Sequence, residues 1–384
     1  AMKIAIAPDS FKECLTADEV AGAIEEGVRR ALPDCVTVCV PMADGGEGTV
    51  DALIAATNGR IVELTGTGPM GTPVATRYGL LGDGESAVIE MAAVSGLPLV
   101  RTEERDPRIA TTYGTGELLC DALNRGASRI IIGLGGSATN DGGAGAAQAL
   151  GVSLRDAAGR ELPWGGAALA RLATIDLSRR HPRLNQCVLE AACDVDNPLC
   201  GPTGASRVYG PQKGAGPTVV EELDAALRHF GDVIEEQLGV PVLDVPGAGA
   251  AGGLGAGLVA FAGGVLRPGV DIVADACKLT SRIAGAELVI TGEGRIDAQT
   301  PHGKTPAGVA KAARQLGIPV VAIAGSLGPG YDAVHDCGIR EVISIQSGTM
   351  SLAEAMARAP ELLAAAAERV ARAWADTRRG FRQM

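Results

Sequence analysis

The sequence predicts an α/β protein of two domains. One is a parallel-sheet domain, Rossmann- or flavodoxin-like, built from both chain ends (residues 1–70 and 275–384); the other is a mixed α/β domain (71–274) inserted between them. Three observations carry this expectation. Apolar runs of strand length alternate with helical-period segments at each end of the chain, the rhythm of a parallel sheet with crossover helices. Between them the texture changes to alternating runs broken by Gly turns, closer to antiparallel β structure. And 384 residues exceed what one core ordinarily organises, at roughly 100–200 residues per domain. The junctions fall near 65–75 and 265–280, with the functional site expected in the cleft between the domains.

Taken in order, residues 3–7 (KIAIA) read as the first strand and PDSFKE as a loop. Thr16-Ala-Asp-Glu19 is a capping box, in which a hydroxyl and a carboxylate each satisfy a free backbone N–H. Behind it Val20, Ile24, Val28 and Leu32 recur at helical spacing up to Pro33. Residues 35–40 give a second strand, and ADGGEGT leads into a helix over 49–56. Residues 61–91 alternate as antiparallel strands; 114–124 is a helix and 129–132 a strand. GLGGSATNDGG then opens onto an Ala-rich helix, 188–192 is a strand ending in CDVDNPLCG, and 219–238 is a helix. Late in the chain the parallel rhythm returns. Residues 287–290 form a strand ending in TGEGRID, 305–316 a helix, and 319–323 and 341–345 two further strands. A long Ala-rich helical stretch over 352–374, interrupted near Pro360, completes the pattern.

Composition narrows the function classes. Hydrophobic residues make up 46% against 21% charged, which excludes a disordered chain, while aromatics at 3% leave the cores to Ala, Val, Leu and Ile. A net charge of −11 argues against nucleic acid, which needs a basic stripe. Nine cysteines without a CxxC pair read as reduced thiols of a cytoplasmic protein, and no apolar stretch reaches the ~20 residues of a membrane span. Neither the cysteines nor the four histidines show metal-ligand spacing for zinc. Gly, at 54 residues, is about twice its usual frequency and clusters beside Asp, Asn, Ser and Thr. Such clusters suit loops where backbone approaches a ligand closely.

Five polar loops follow predicted strands: PDSFK, ADGGEGT, GGSATNDGG, CDVDNP and TGEGRID. Ligands of open α/β sheets bind at the carboxyl ends of strands, and each loop places an Asp there. One such Asp is as readily a turn or cap residue; five are not. The candidates are Asp9, Ser10 and Lys12 in the first loop, and Asp44, Gly45 and Gly46 in the second. In GGSATNDGG, Gly135 and Gly136 free backbone N–H groups for phosphate, Ser137 and Thr139 add hydroxyls, and Asn140 and Asp141 stand to contact Mg²⁺ or a substrate hydroxyl. Asp194 and Asn197 come from CDVDNP, and Glu293, Arg295 and Asp297 from TGEGRID. Lys12, Lys213, Arg295 and Lys304 are the cations inside Gly-rich or acid-rich motifs, where a chain of negative net charge must concentrate its donors for anions.

Two motifs mislead. Gly247, Gly249 and Gly252 fit GxGxxG with Asp271 about 20 residues on, an NAD fingerprint, but only VLDV stands before it as a strand. Gly303-Lys304-Thr305 imitates the end of a phosphate loop whose earlier Gly would fall at Ala298.

The wording of the loops resembles type 1 (bacterial) glycerate kinases. The matching stretches are APDSFKECLTA, PMADGGEGT, GTGEL, GLGGSATNDGGAGAAQALG, ACDVDNPLCG, YGPQKGA, PGAGAAGGLGAG, TGEGRIDAQT and GKTPAGVA, from residue 7 to beyond 310. The resemblance implies an enzyme that moves the γ-phosphoryl group of ATP to a hydroxyl of D-glycerate with Mg²⁺, 2-phosphoglycerate being favoured as product. It makes Arg295 the candidate for the glycerate carboxylate, whose shape suits a guanidinium fork, Asp194 and Asp44 the leading proton acceptors, a choice that spacing does not make, and Asp141 and Asp194 the acids for Mg²⁺. It also assigns GAGAAGGLGAG to the kinase pattern rather than to NAD. An NAD-linked oxidoreductase of a small hydroxy acid, and a non-catalytic sugar-acid-binding protein with an inherited kinase fold, are the alternatives. The sequence leaves homo-oligomerisation open.

Overall fold

The computed structural model describes residues 2–346 and 348–382. The chain divides into two compact units: unit 1 comprises Ala1–Asp44, Asp51–Asn58 and Val270–Met384, and unit 2 comprises Gly45–Val50 and Gly59–Gly269. In chain order the strands are β1 (Lys3–Pro8), β2 (Val36–Cys39), β3 (Arg60–Thr67), β4 (Pro73–Leu80), β5 (Ser86–Glu90), β6 (Arg129–Gly133), β7 (Ser153–Arg155), β8 (Thr174–Asp176), β9 (Val188–Ala192), β10 (Val265–Arg267), β11 (Leu288–Ile296), β12 (Val320–Leu327) and β13 (Ile339–Ser344).

Unit 1 holds a parallel sheet of order β13-β12-β11-β1-β2. From β1 the chain steps outward to β2; from β11 it steps the other way, to β12 and β13. The order therefore reverses between β1 and β11, and outside such a reversal lies the crevice where open α/β sheets take ligands. The helix Ala17–Ala31 starts at the expected capping box: Glu19 N donates to Thr16 Oγ1 at 3.3 Å and Thr16 N to Glu19 Oε2 at 2.8 Å. Its Val20, Ile24 and Val28 are buried with Ile4, Ile6, Leu288 and Ile290 of the sheet and Leu363 and Ala367 of the helix Ala359–Arg382.

Unit 2 is built on a mixed sheet of order β10-β9-β6-β5-β4-β3, parallel from β10 to β5 and antiparallel from β5 to β3. Arg60–Thr67 pairs along its whole length with Pro73–Leu80, so residues 60–67 go with unit 2, whereas the texture of the sequence put the junction later, near 65–75. The alternation of β3 runs on into β4 with no change of composition to mark the border. Two apolar clusters fill the unit, one around Ile89, Leu118, Ile130, Ile132 and Leu254, the other around Leu199, Leu227, Phe230 and Phe261.

The α/β expectation holds, with local corrections. The strand expected to end at Ile290 runs on to Ile296, because Glu293 and Arg295 pair with Ala324 and Ser326 of β12. Charge and glycine depress strand propensity, so TGEGRID reads as a loop. A Cβ on Gly292 would stand 2.1 Å from Ile323 O and one on Gly325 2.3 Å from Gly294 O, so only glycine lets the two backbones meet there. The interrupted helix is two helices, Leu352–Ala357 and Ala359–Arg382, and the Ala-rich helix after Gly143 stops at Ala149. The sequence does not predict the antiparallel pair β7–β8 or the short β10. Among the described residues no helix is long and apolar enough to cross a membrane.

Candidate active site

Eight of the sequence-selected residues line one cavity of unit 1, about 380 Å³ in volume: Asp9, Ser10, Lys12, Asp44, Glu293, Arg295, Asp297 and Lys304. The sheet explains their convergence. Pro8 pairs with Gly292, so Asp9 leaves β1 beside Glu293 of β11, on the two strands that flank the reversal. Thr305, first residue of the helix Thr305–Gln315, donates its hydroxyl to Asp9 Oδ2 at 2.5 Å; Ser10 N donates to Asp9 Oδ1 at 2.6 Å. Thr300 Oγ1 donates to Glu293 Oε1 at 2.6 Å, and Lys304 Nζ lies 3.4 Å from Asp44 Oδ2.

Three carboxylates and an ammonium thus share one partly buried space, and their protonation follows from it. Burial raises the Asp9 carboxyl to about 6, with the charge of Asp44 adding to the effect and the donors from Thr305 and Ser10 opposing it. Burial likewise lifts Glu293 to about 7; the Thr300 hydroxyl and the Lys304 charge pull it back, while Asp9 and Asp44 push it further up. For Lys304 burial disfavours the charge, but Asp44 and Glu293 outweigh it and hold the ammonium above its ordinary pKa. Arg295 is exposed and sits 3.4 Å from Asp297, and Lys12 is exposed at the rim. A salt bridge as exposed as the Arg295–Asp297 pair contributes little stability, which leaves both groups free to exchange partners.

In unit 2 the loop after β6 carries Gly135, Gly136, Ser137, Thr139, Asn140 and Asp141. Asp141 is wholly buried and receives Thr112 N at 2.8 Å, Thr112 Oγ1 at 2.9 Å, Gly143 N at 3.1 Å and Gly145 N at 3.2 Å. Burial pushes its carboxyl up while these donors resist. The named metal ligand is therefore an internal anchor for the start of the helix Ala144–Ala149, its oxygens already taken by protein donors. Lys213 is 1% exposed and donates to Ser137 Oγ at 2.8 Å and Thr139 O at 2.6 Å. Burial pulls its ammonium down to about 7, with the charge of Asp141 opposing. As placed it serves the loop rather than offering its charge to solvent. Asn140 Nδ2 donates to Ser206 Oγ at 2.9 Å.

Asp194 and Asn197 follow β9, the neighbour of β6. Asp194 is exposed and accepts the Gly269 N–H at 3.0 Å. Asn197 is tied at both ends, donating to Thr203 O at 2.8 Å and accepting from Tyr209 OH at 2.7 Å, which makes it a fastener of its own loop. Gly45 (φ 90°) lies so close to Ala192 that a Cβ would stand 2.5 Å from the Ala192 Cβ, and Gly46 O accepts the Thr49 hydroxyl at 2.7 Å. A side chain at position 45 would collide with Ala192 and Gly269.

The GxGxxG segment has no strand before it and does not form a strand–turn–helix. Its glycines permit contact with the loop after β6: a Cβ on Gly252 would stand 2.0 Å from Thr139 O, and Gly142 N donates to Gly252 O at 3.0 Å. Sequence reasoning missed the hydroxyls that hold the acids, Thr112, Thr300 and Thr305. Thr300 shares TGEGRIDAQT with its partner Glu293, seven residues back, whereas nothing local marks Thr112 or Thr305 as the partner of an acid far away in the chain.

The fold and these loops define an α/β protein that collects acids and cations at strand ends, the equipment for small anionic ligands. Comparison with known proteins narrows this. The profile of the glycerate kinase family matches residues 4–375. A glycerate kinase of Halalkalibacterium halodurans is 55% identical over 368 residues, covering 96% of this chain and 97% of its own. The glycerate 2-kinase of Escherichia coli K12 is 54% identical over 370 residues, covering 96% and 97%. The crystal structure of a Salmonella typhimurium LT2 protein assigned as glycerate kinase 2 superposes with a TM-score of 0.91 at 52% identity, each chain covered to 100%. The chain belongs to the glycerate kinase family.

Proposed function

We propose that this protein is an ATP-dependent kinase of D-glycerate that yields 2-phosphoglycerate and ADP in the cytoplasm. The observation that carries the reading is the convergence of Asp9, Asp44, Glu293 and Lys304 in the unit 1 cavity at the strand-order reversal, with Lys12 and Arg295 exposed at its edge. The family and the name of the Escherichia coli relative support the substrate and the 2-position.

Phosphoryl transfer asks a protein for positioning and for neutralisation of oxygen charge. In this reading Lys12 and Lys304 face phosphate oxygens, Arg295 leaves Asp297 to fork the glycerate carboxylate, and Asp44 or Asp194 accepts the hydroxyl proton. Mg²⁺ takes oxygen ligands and keeps several waters. Asp194, with an exposed carboxylate, fits such a ligand; Asp141 does not, because internal donors fill it and solvent does not reach it. When bound, the ion would supply further neutralisation of phosphate charge.

Phosphorus NMR of the product formed from ATP and D-glycerate tests the proposal directly. The expected result is a phosphomonoester coupled to the C2 proton. Coupling to the C3 protons would overturn the position, and failure to consume ATP in the presence of glycerate would overturn the activity.

A further inference from the structure

The kinase reading leaves unexplained why a lysine is buried in unit 2 behind the loop after β6. Lys213 is 1% exposed, and its charged end reaches back across the sequence to Ser137 Oγ (2.8 Å) and Thr139 O (2.6 Å). Sequestering an ammonium is expensive unless its bonds are strong, and these two are charge-assisted. On the same turn, Thr139 Oγ1 and Asn140 Oδ1 are buried with no hydrogen-bond partner among the described residues, although both residues are 0% exposed. A loop left to itself would rotate to satisfy those atoms, because an unmet buried polar group is costly. Something must hold the turn in this shape. The Gly252 backbone packs against Thr139 and Asn140, and Lys213 fixes the turn from within.

We propose that Lys213 is a positioning residue, which clamps the Ser137–Thr139 turn and so holds the loop after β6 in the shape that phosphoryl transfer requires, with the Thr139 hydroxyl and the Asn140 amide oxygen kept from internal partners. Lys213 acts through Ser137 and Thr139, without touching the ligand. The inference rests on the kinase reading for the effect on turnover, not for the clamp itself.

Two measurements on the full-length protein test it. The first does not need activity. In Lys213→Met, amide hydrogen exchange of residues 135–141 should quicken by at least tenfold while the strands of unit 2 keep wild-type protection. Unchanged exchange in that segment overturns the clamp, even if the protein should prove not to be a glycerate kinase. The second uses steady-state kinetics with ATP and D-glycerate. Lys213→Met should lower kcat/KM on the order of 10²-fold, Ser137→Ala less, and the double variant no more than Lys213→Met alone. Fully additive losses would show that Lys213 acts independently of Ser137 and would overturn the proposal. If Lys213→Met does not fold, Lys213→Arg keeps the charge in a different shape. It should fold and show the same exchange signature to a smaller degree, and wild-type exchange in that variant would count against the clamp.

Discussion

Lys12 stands exposed at the edge of the unit 1 cavity, and its ammonium serves no packing there. Lys12→Ala should therefore leave stability within about 0.5 kcal/mol. If the side chain neutralises phosphate, kcat/KM should fall roughly 10²-fold, about 2.7 kcal/mol of transition-state stabilisation; activity within about threefold of wild type would remove it from the site. Glu293 is the opposite case. Its carboxyl ionises near 7 in the folded chain against an ordinary 4.5, so between those values the native state holds a proton that the unfolded state has lost. Stability on this account is full below about pH 4.5 and declines as pH rises through 7, by up to about 3 kcal/mol. Glu293→Gln keeps an acceptor for Thr300 and removes the charge. Urea unfolding at pH 5 and pH 8 should show the variant losing less stability than wild type across that interval, and equal losses would contradict the assignment. Asp194→Asn likewise keeps an oxygen for the Gly269 N–H. The folded variant should lose on the order of 10²–10⁴-fold in kcat if Asp194 takes the proton or holds the metal. A near-normal rate would pass the role to Asp44.

At the scale of elements, the helix Ala17–Ala31 meets Ala359–Arg382 so closely that a Cβ on Gly27 would stand 2.0 Å from Ala364 O. Gly27→Ala is a gain in helix propensity and a loss in packing, and the second dominates because a backbone carbonyl cannot step aside. Thermal or urea unfolding should register a net loss of about 1–3 kcal/mol. A stabilised variant would mean that the helices separate easily. The same logic of close approach governs β11 and β12, where Gly292 and Gly325 allow the acid-bearing stretch of TGEGRID to remain a strand. That rigidity places Glu293 opposite Asp9 more firmly than a loop would.

For the whole molecule, each unit has its own sheet and its own apolar cores, so each is expected to respond to the ligands it holds. A ligand that binds only the native state raises the melting temperature by mass action. In a panel of ATP with Mg²⁺, ADP, NAD⁺ and D-glycerate, the nucleotides and glycerate should raise it and NAD⁺ should not. A shift with NAD⁺ alone would sink the kinase reading. Calorimetry with ATP and glycerate together should move the transition of unit 1, which holds the cavity, upward, and an unmoved transition would count against the site.

Periodicity and strand-end chemistry were legible from residues alone: the capping box at Thr16, the strand Val188–Ala192, the parallel rhythm of both chain ends, and the acids that close each run. Those features are local, set by the spacing of apolar groups and by hydrogen bonds within a few residues. The motif wording added the family. Tertiary structure decided what no spacing carries, namely which polar groups would find protein partners once buried. It turned Asp141 and Lys213 inward, because Thr112 and Ser137 reach them from distant parts of the chain, and it tied Asn197 to Thr203 and Tyr209, near it in the chain. It gathered Asp9, Asp44, Glu293 and Lys304 around one cavity, with Thr305 on Asp9 and Thr300 on Glu293, because the strand order reverses between β1 and β11. A buried charge must be met by donors or ions wherever the chain brings them, and that is a property of packing rather than of sequence distance.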